Sequence, residues 1–162
     1  ISNNFIRDNM VSGMHMGVGS NNIISDNIIT NNPVFGIALS SSDTNSLFDN
    51  IVNNNGMGFL LESSSNNTFL SNKVDNNYGT GFLGYGFNLY GSHSVNNNFS
   101  YNTACNNGQG DFYCSLCFTS PNNCTGNHGF KNNFNEVGNC PDGWPEFRRG
   151  YTHCELDLDL VR

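Results

Sequence analysis

Apolar residues in this chain come mostly in pairs and triplets, fenced by asparagine, aspartate or glycine. The clearest form is the phrase Asn-x-apolar-x-x-Asn-x-apolar. It opens as Asn4-Phe5-Ile6-Arg7-Asp8-Asn9-Met10-Val11 and begins again at Asn22, Asn45, Asn67 and Asn97. The first asparagines of these copies lie 18, 23, 22 and 30 residues apart, and a weaker sixth copy runs from Asn122 or Asn123 through Cys124 to Asn127. A polar pair follows in most copies (Asn31-Asn32, Asn54-Asn55, Asn76-Asn77, Asn106-Asn107), with Gly13 in the first. Then comes a third short run: Gly13-Met14-His15-Met16, Gly36-Ile37-Ala38-Leu39, Gly58-Phe59-Leu60-Leu61, Gly86-Phe87-Asn88-Leu89 and Asp111-Phe112-Tyr113-Cys114.

Each piece alternates with period two and is too short for a helix, so the pieces are strands; Asn and Gly, which tolerate positive φ, are the bends between them. Three short strands repeated about every 22 residues make one winding of a solenoid. The predicted fold is therefore all-β, a single-stranded parallel β-helix. Its expected inward columns are Ile6/Ile24/Leu47/Phe69/Phe99/Cys124, Val11/Ile29/Val52/Val74/Ala104 and Met16/Leu39/Leu61/Leu89/Cys114. Windings stack about 4.8 Å apart, so like side chains touch their own copies. Buried bends need their backbone polar groups paired, and an amide carries both donor and acceptor. A structural ladder of Asn9, Asn27, Asn50, Asn72 and Asn102 is the expected solution.

Composition changes this picture little. Only 36% of the 162 residues are hydrophobic and 12% charged, yet the apolar ones fall in register, which a disordered polar chain does not do. A net charge of −7 argues against a nucleic-acid partner or an anionic membrane surface, and no apolar run is long enough to span a bilayer. The repeat is already under way at Ser2, which leads us to expect a segment upstream of Ile1.

The windings are expected to occupy residues 1–116, and residues 117–162 an irregular Cys-rich C-terminal cap that covers the last strand edge. All six cysteines (Cys105, Cys114, Cys117, Cys124, Cys140, Cys154) lie between residues 105 and 154, where the repeat thins, and none comes before. Their even number favours disulfides and a secreted protein. Cys114 and Cys117 also have zinc-ligand spacing, which Cys140, Cys154, His128 and His153 could complete. The final Glu155-Leu156-Asp157-Leu158-Asp159-Leu160 alternates like an amphipathic strand, suited to closing the cap or pairing with another molecule.

Chemistry is sparse. Asp8, Asp26 and Asp49 precede ladder asparagines in three copies and would stack as a possible calcium-binding column, or serve as solvated bend residues. Met14 and Met16 should face the core, leaving His15 outside. Phe48, Leu70, Ile28, Ile51, Ala38 and Leu60 fall on outward positions, an apolar outer face for self-association. The aromatic residues Phe82, Tyr85, Tyr90 and Tyr101, some of them beside the Gly-rich insertion at 78–85, are candidates for binding carbohydrate or a partner. Sequons at Asn66, Asn98 and Asn123 are about as many as so Asn-rich a chain yields by chance.

The Asn-x-Ile-x-x-Asn-x-Ile phrase followed by Gly-Ile-x-Leu resembles the right-handed parallel β-helix repeat proteins, among them pectin-lyase-like enzymes, alginate epimerases and NosD-type proteins. The resemblance covers roughly residues 2–130 and implies the right-handed fold. It does not carry an activity, because one repeat serves enzymes and non-enzymes alike. The Asp-Pro-His-Asp of the epimerases is missing, and so is a convincing lyase set. The expectation is an extracellular, cell-surface or periplasmic module, non-catalytic, adhesive or filament-forming, with polysaccharide as partner. The alternative is a fragment of a polysaccharide lyase or epimerase whose active residues lie upstream.

Overall fold

The computed structural model describes residues 1–80, 83–91, 93–114, 127–134 and 137–138. They form three parallel sheets, each taking one strand per winding. Sheet one stacks β1 (Phe5–Arg7), β4 (Ile28–Thr30), β7 (Ile51–Asn53), β10 (Lys73–Asp75), β13 (Thr103–Cys105) and β16 (Asn133–Phe134). Sheet two stacks β2 (Ser12–Gly17), β5 (Phe35–Ser40), β8 (Met57–Glu62), β11 (Tyr85–Tyr90), β14 (Gly110–Cys114) and β17 (Val137–Gly138). Sheet three stacks β3 (Ile23–Ser25), β6 (Ser46–Phe48), β9 (Thr68–Leu70), β12 (Asn98–Ser100) and β15 (His128–Phe130). The predicted solenoid is thus the fold, and its stacking continues through β15, β16 and β17, beyond residue 116.

The core is a set of vertical columns. Ile24, Leu47, Phe69 and Phe99 are fully buried, as are Ile29, Val52, Val74 and Ala104, and Leu39, Leu61, Leu89 and Cys114. Sheet two adds a column that the sequence reading did not separate out, Met14/Ile37/Phe59/Phe87/Phe112. Stacking distance dictates ring geometry: Phe59 lies on Phe87 at 4.9 Å and 4°, and Phe69 on Phe99 at 4.8 Å and 8°. Across columns the same rings meet edge to face, at 5.5 Å for Phe59 and Phe69. Both are the arrangements that the ring quadrupole favours.

Three amide ladders hold the bends. Asn50 shows the unit: its Oδ1 accepts from the backbone N and the Nδ2 of Asn27, at 3.2 and 3.0 Å. Its own Nδ2 donates to Ile24 O at 2.9 Å and to Asn72 Oδ1 at 3.0 Å. All four hydrogen-bonding positions of the buried amide are filled, as burial requires. Asn72 continues to Asn102, and Asn102 to Asn132. A second ladder runs Asn22, Asn45, Asn67, Asn97, Asn127, and a third Asn9, Asn32, Asn55, Asn77, Asn107.

The first winding is registered differently from the sequence reading. Asn4, not Asn9, bonds Asn27, while Asn9 bonds Asn32. Ile6 therefore pairs with Ile29 rather than Ile24, and Val11 lies outside the core, 59% exposed. The cause is internal: the three ladder asparagines of a winding are five residues apart (Asn22, Asn27, Asn32), so the phrase matches itself after a five-residue slip. The same slip misplaced the sixth copy. Asn127 and Asn132 carry its ladders, and Gly129 pairs with Phe99 in the place assigned to Cys124, which lies outside the described residues.

Candidate functional site

Period-two alternation on sheet two sends Ile37 and Leu39 inward and their neighbours outward. The outer face carries a groove of about 310 Å³ lined by His15, Phe35, Ala38, Ser40, Met57, Leu60, Glu62, Leu83, Asn88 and Tyr90. Ala38 was expected to be exposed; it sits on this face but is closed over, at 1% exposure. Leu83 comes from the insertion before β11, which is anchored by Gly79 N and Gly84 N donating to Gly56 O at 2.8 and 2.6 Å. The insertion therefore borders the candidate binding surface, since Leu83 is one wall of the groove.

A polar rail crosses the groove. Ser40 Oγ donates to Glu62 Oε2 at 3.0 Å, and His15 Nε2 lies 3.2 Å from Ser40 Oγ. With the serine proton directed at Glu62, the imidazole Nε2 is the donor to Ser40. A nucleophilic serine needs the reverse, its proton handed to histidine. Glycoside hydrolysis uses two carboxyl groups about 5–9.5 Å apart, whereas Glu62 is the one carboxylate lining this groove among the described residues. The arrangement can position hydroxyl groups against an apolar floor, as small-ligand sites do.

The aromatic candidates separate. Tyr90 lines the groove, and Tyr85 stacks on Tyr113 at 4.5 Å on the same sheet, where burial first and Tyr113 second push its phenol above the ordinary value. Tyr101 belongs to the bend between sheets three and one, edge-on to Phe130 at 5.5 Å with Lys131 Nζ 5.6 Å above its ring. Phe82 lies outside the described residues.

The three aspartates do not form one column. Asp26 and Asp49 occupy equivalent bend positions in adjacent windings, with Asn3, Ser71, Tyr101 and Lys131. Asp8 stands at the next bend, where later windings carry Asn31, Asn54, Asn76 and Asn106. All of these residues have φ near that of Asp26, 55°. Among residues with a side chain, Asx visit the left-handed region most readily, which accounts for aspartate at these bends. No group of three His, Cys, Asp or Glu able to hold an ion occurs among the described residues.

Cys105 and Cys114 are buried at the ends of β13 and β14; Cys117, Cys140 and Cys154 lie outside the described residues, as does the terminal strand. His15 is exposed with Met14 buried and Met16 packed against the core, as expected. Phe5, Ile28 and Ile51 line up directly on the outer face of sheet one, all exposed, and Leu70 is exposed on sheet three. The sequence reading missed a serine ladder: Gly19 N donates to Ser42 Oγ at 3.0 Å, Ser42 N to Ser64 Oγ at 3.0 Å, and Ser64 N to Ser94 Oγ at 3.3 Å. Its signal was present, since Ser42, Ser64 and Ser94 share the spacing of Asn45, Asn67 and Asn97. Asp111 was missed as well; its Oδ1 ends the third ladder by accepting from Asn107 Nδ2 at 2.8 Å.

A solenoid of stacked three-strand windings with amides at its bends defines the class. The chain belongs to the right-handed β-helix family, whose model, described as the right handed beta helix region, matches residues 1–139. No curated protein and no solved structure matches it.

Proposed function

We propose that this chain is an extracellular, non-catalytic β-helical module that holds a polysaccharide against the outer face of sheet two. The observation that carries this reading is the groove itself: an apolar floor, Tyr90 at its rim and a short polar rail of His15, Ser40 and Glu62. Among the described residues, Arg7 and Lys73 lie on sheet one and Lys131 on the bend between sheets three and one. One carboxylate and no Lys or Arg line the groove among the described residues. Such a lining suits a weakly charged glycan better than a polyuronate, which wants cations opposite its carboxylates. The even number of cysteines supports an oxidising compartment. The row of Phe5, Ile28 and Ile51 supports lateral self-association as a second contact.

Titration calorimetry of the whole chain against soluble xylan, glucan and oligogalacturonate tests the reading. Binding that Tyr90→Ala weakens by about tenfold, the scale of a lost aromatic contact of ~1.4 kcal/mol, supports it. Undiminished binding in Tyr90→Ala, or binding to none of the three, overturns it. Release of unsaturated uronate from pectin or alginate identifies the lyase alternative instead.

A further inference from the structure

A separate groove of about 440 Å³ follows the bend between sheets one and two, lined by the exposed Asn31 and Asn54, Asn76, Pro33, Gly56 and Tyr78. At each winding two amides sit side by side. Asn32 and Asn55 turn inward to the ladder, while Asn31 and Asn54 turn out. The outer ones have φ of 57° and 55°, a conformation that favours asparagine. Conformation favours but does not demand an amide at every winding: one left-handed column holds Asn3, Asp26, Asp49, Ser71, Tyr101 and Lys131, another Val18, Ser41 and Ser63, and a third Asn21, Thr44, Asn66 and Asn96. Tyr78 closes the groove and is held from two sides. Its hydroxyl donates to Asn76 Oδ1 at 3.2 Å, and its Cδ1 lies against Gly108, where an added Cβ would come within 3.2 Å. The ring stays 60% exposed. An aromatic plate fixed before any ligand arrives costs little ordering on binding.

We infer that this bend is a second binding site, for an uncharged hydroxyl-rich glycan lying along the solenoid axis. Tyr78 is its stacking plate, and Asn31 and Asn54 supply one amide per winding. Amides both donate and accept, so they match hydroxyls that do the same, and they offer no charge to a uronate. This inference stands on different residues from the sheet-two groove and fails separately from it.

The test is a nitrogen–proton correlation NMR titration of the whole chain with cellohexaose and, in parallel, trigalacturonate. Cellohexaose is expected to shift the Tyr78 and Asn54 signals. Asn54→Gly keeps the left-handed bend without its amide, and is expected to bind about fivefold more weakly, the factor of one ordinary hydrogen bond; Tyr90→Ala is expected to leave these shifts in place. Preference for trigalacturonate, shifts absent from this bend, or an Asn54→Gly chain that binds like its parent overturns the inference.

Discussion

Replacing Asn72 with alanine isolates what one rung of a ladder contributes. Asn72 Oδ1 accepts from Asn50 N at 3.1 Å and Asn50 Nδ2 at 3.0 Å, and its Nδ2 donates to Leu47 O at 2.9 Å and Asn102 Oδ1 at 3.0 Å. Asn72→Ala removes all four bonds. Asn102 Oδ1 keeps the backbone N of residue 72, and Asn50 Nδ2 keeps Ile24 O. Asn50 N is left without a partner in a layer that is 0–1% exposed, whereas Leu47 O loses one of two bonds because β6 also pairs with β9. A buried polar group without a partner costs about 1–3 kcal/mol and one ordinary bond about 1 kcal/mol, which puts the loss near 2–4 kcal/mol, a large part of the 5–15 kcal/mol that typically holds a domain. Denaturant unfolding followed by circular dichroism measures it. The control is Asn54→Ala on the exposed neighbouring bend, where only the left-handed preference is lost, about 1 kcal/mol. Equal losses in the two variants would refute the reasoning, because the ladder would then contribute nothing beyond backbone conformation.

Other perturbations separate the remaining contributions. Phe99 lies face to face with Phe69 at 4.8 Å and edge-on to Phe112 at 5.0 Å, so Phe99→Ala is expected to cost about 3–5 kcal/mol in the same unfolding assay. Val18, β-branched and exposed, is held at φ 56°, and Val18→Gly is expected to raise stability by about 1 kcal/mol, read as a higher midpoint. Burial lifts the Asp75 carboxyl above its ordinary 3.8, outweighing the Lys73 ammonium beside it. A folded-state value above the unfolded one means that this group's stabilising contribution is full below 3.8 and is lost as pH rises through the raised value. Asp75→Asn is therefore expected to be more stable than its parent at neutral pH, with a flatter stability-against-pH curve, and equal slopes would contradict it.

The sequence was most legible where the repeat carries two signals at once. In sheet two, a Gly or Asp and the apolar residues after it agree on a register, and all five readings from Met16 to Cys114 stack as expected. The ladder Asn27, Asn50, Asn72 and Asn102 stacks as expected, but register slipped in the first and sixth copies, because bends five residues apart are interchangeable to the eye; Asn4 and Asn9 show this. The serine ladder was overlooked because serine is common at exposed bends and its burial appears only when Ser42 and Ser64 are seen under their neighbours. The groove was less legible still. Alternation named Leu60 and Ala38 as outward, but nothing in the pattern revealed that His15, Ser40 and Glu62, from three windings, share one rail. Pairing across windings depends on loop lengths, and the step from 23 to 22 residues is invisible to composition.

Side-chain amide exchange resolved by NMR reaches the stacking of amides directly. Slow exchange is expected at the Nδ2 protons of Asn27, Asn50, Asn72 and Asn102, with contacts linking Asn4 to Asn27 and Asn9 to Asn32, while Asn31 and Asn54 exchange quickly. Uniformly fast exchange across both groups, or contacts from Asn9 to Asn27, would contradict the ladder and the winding register built on it.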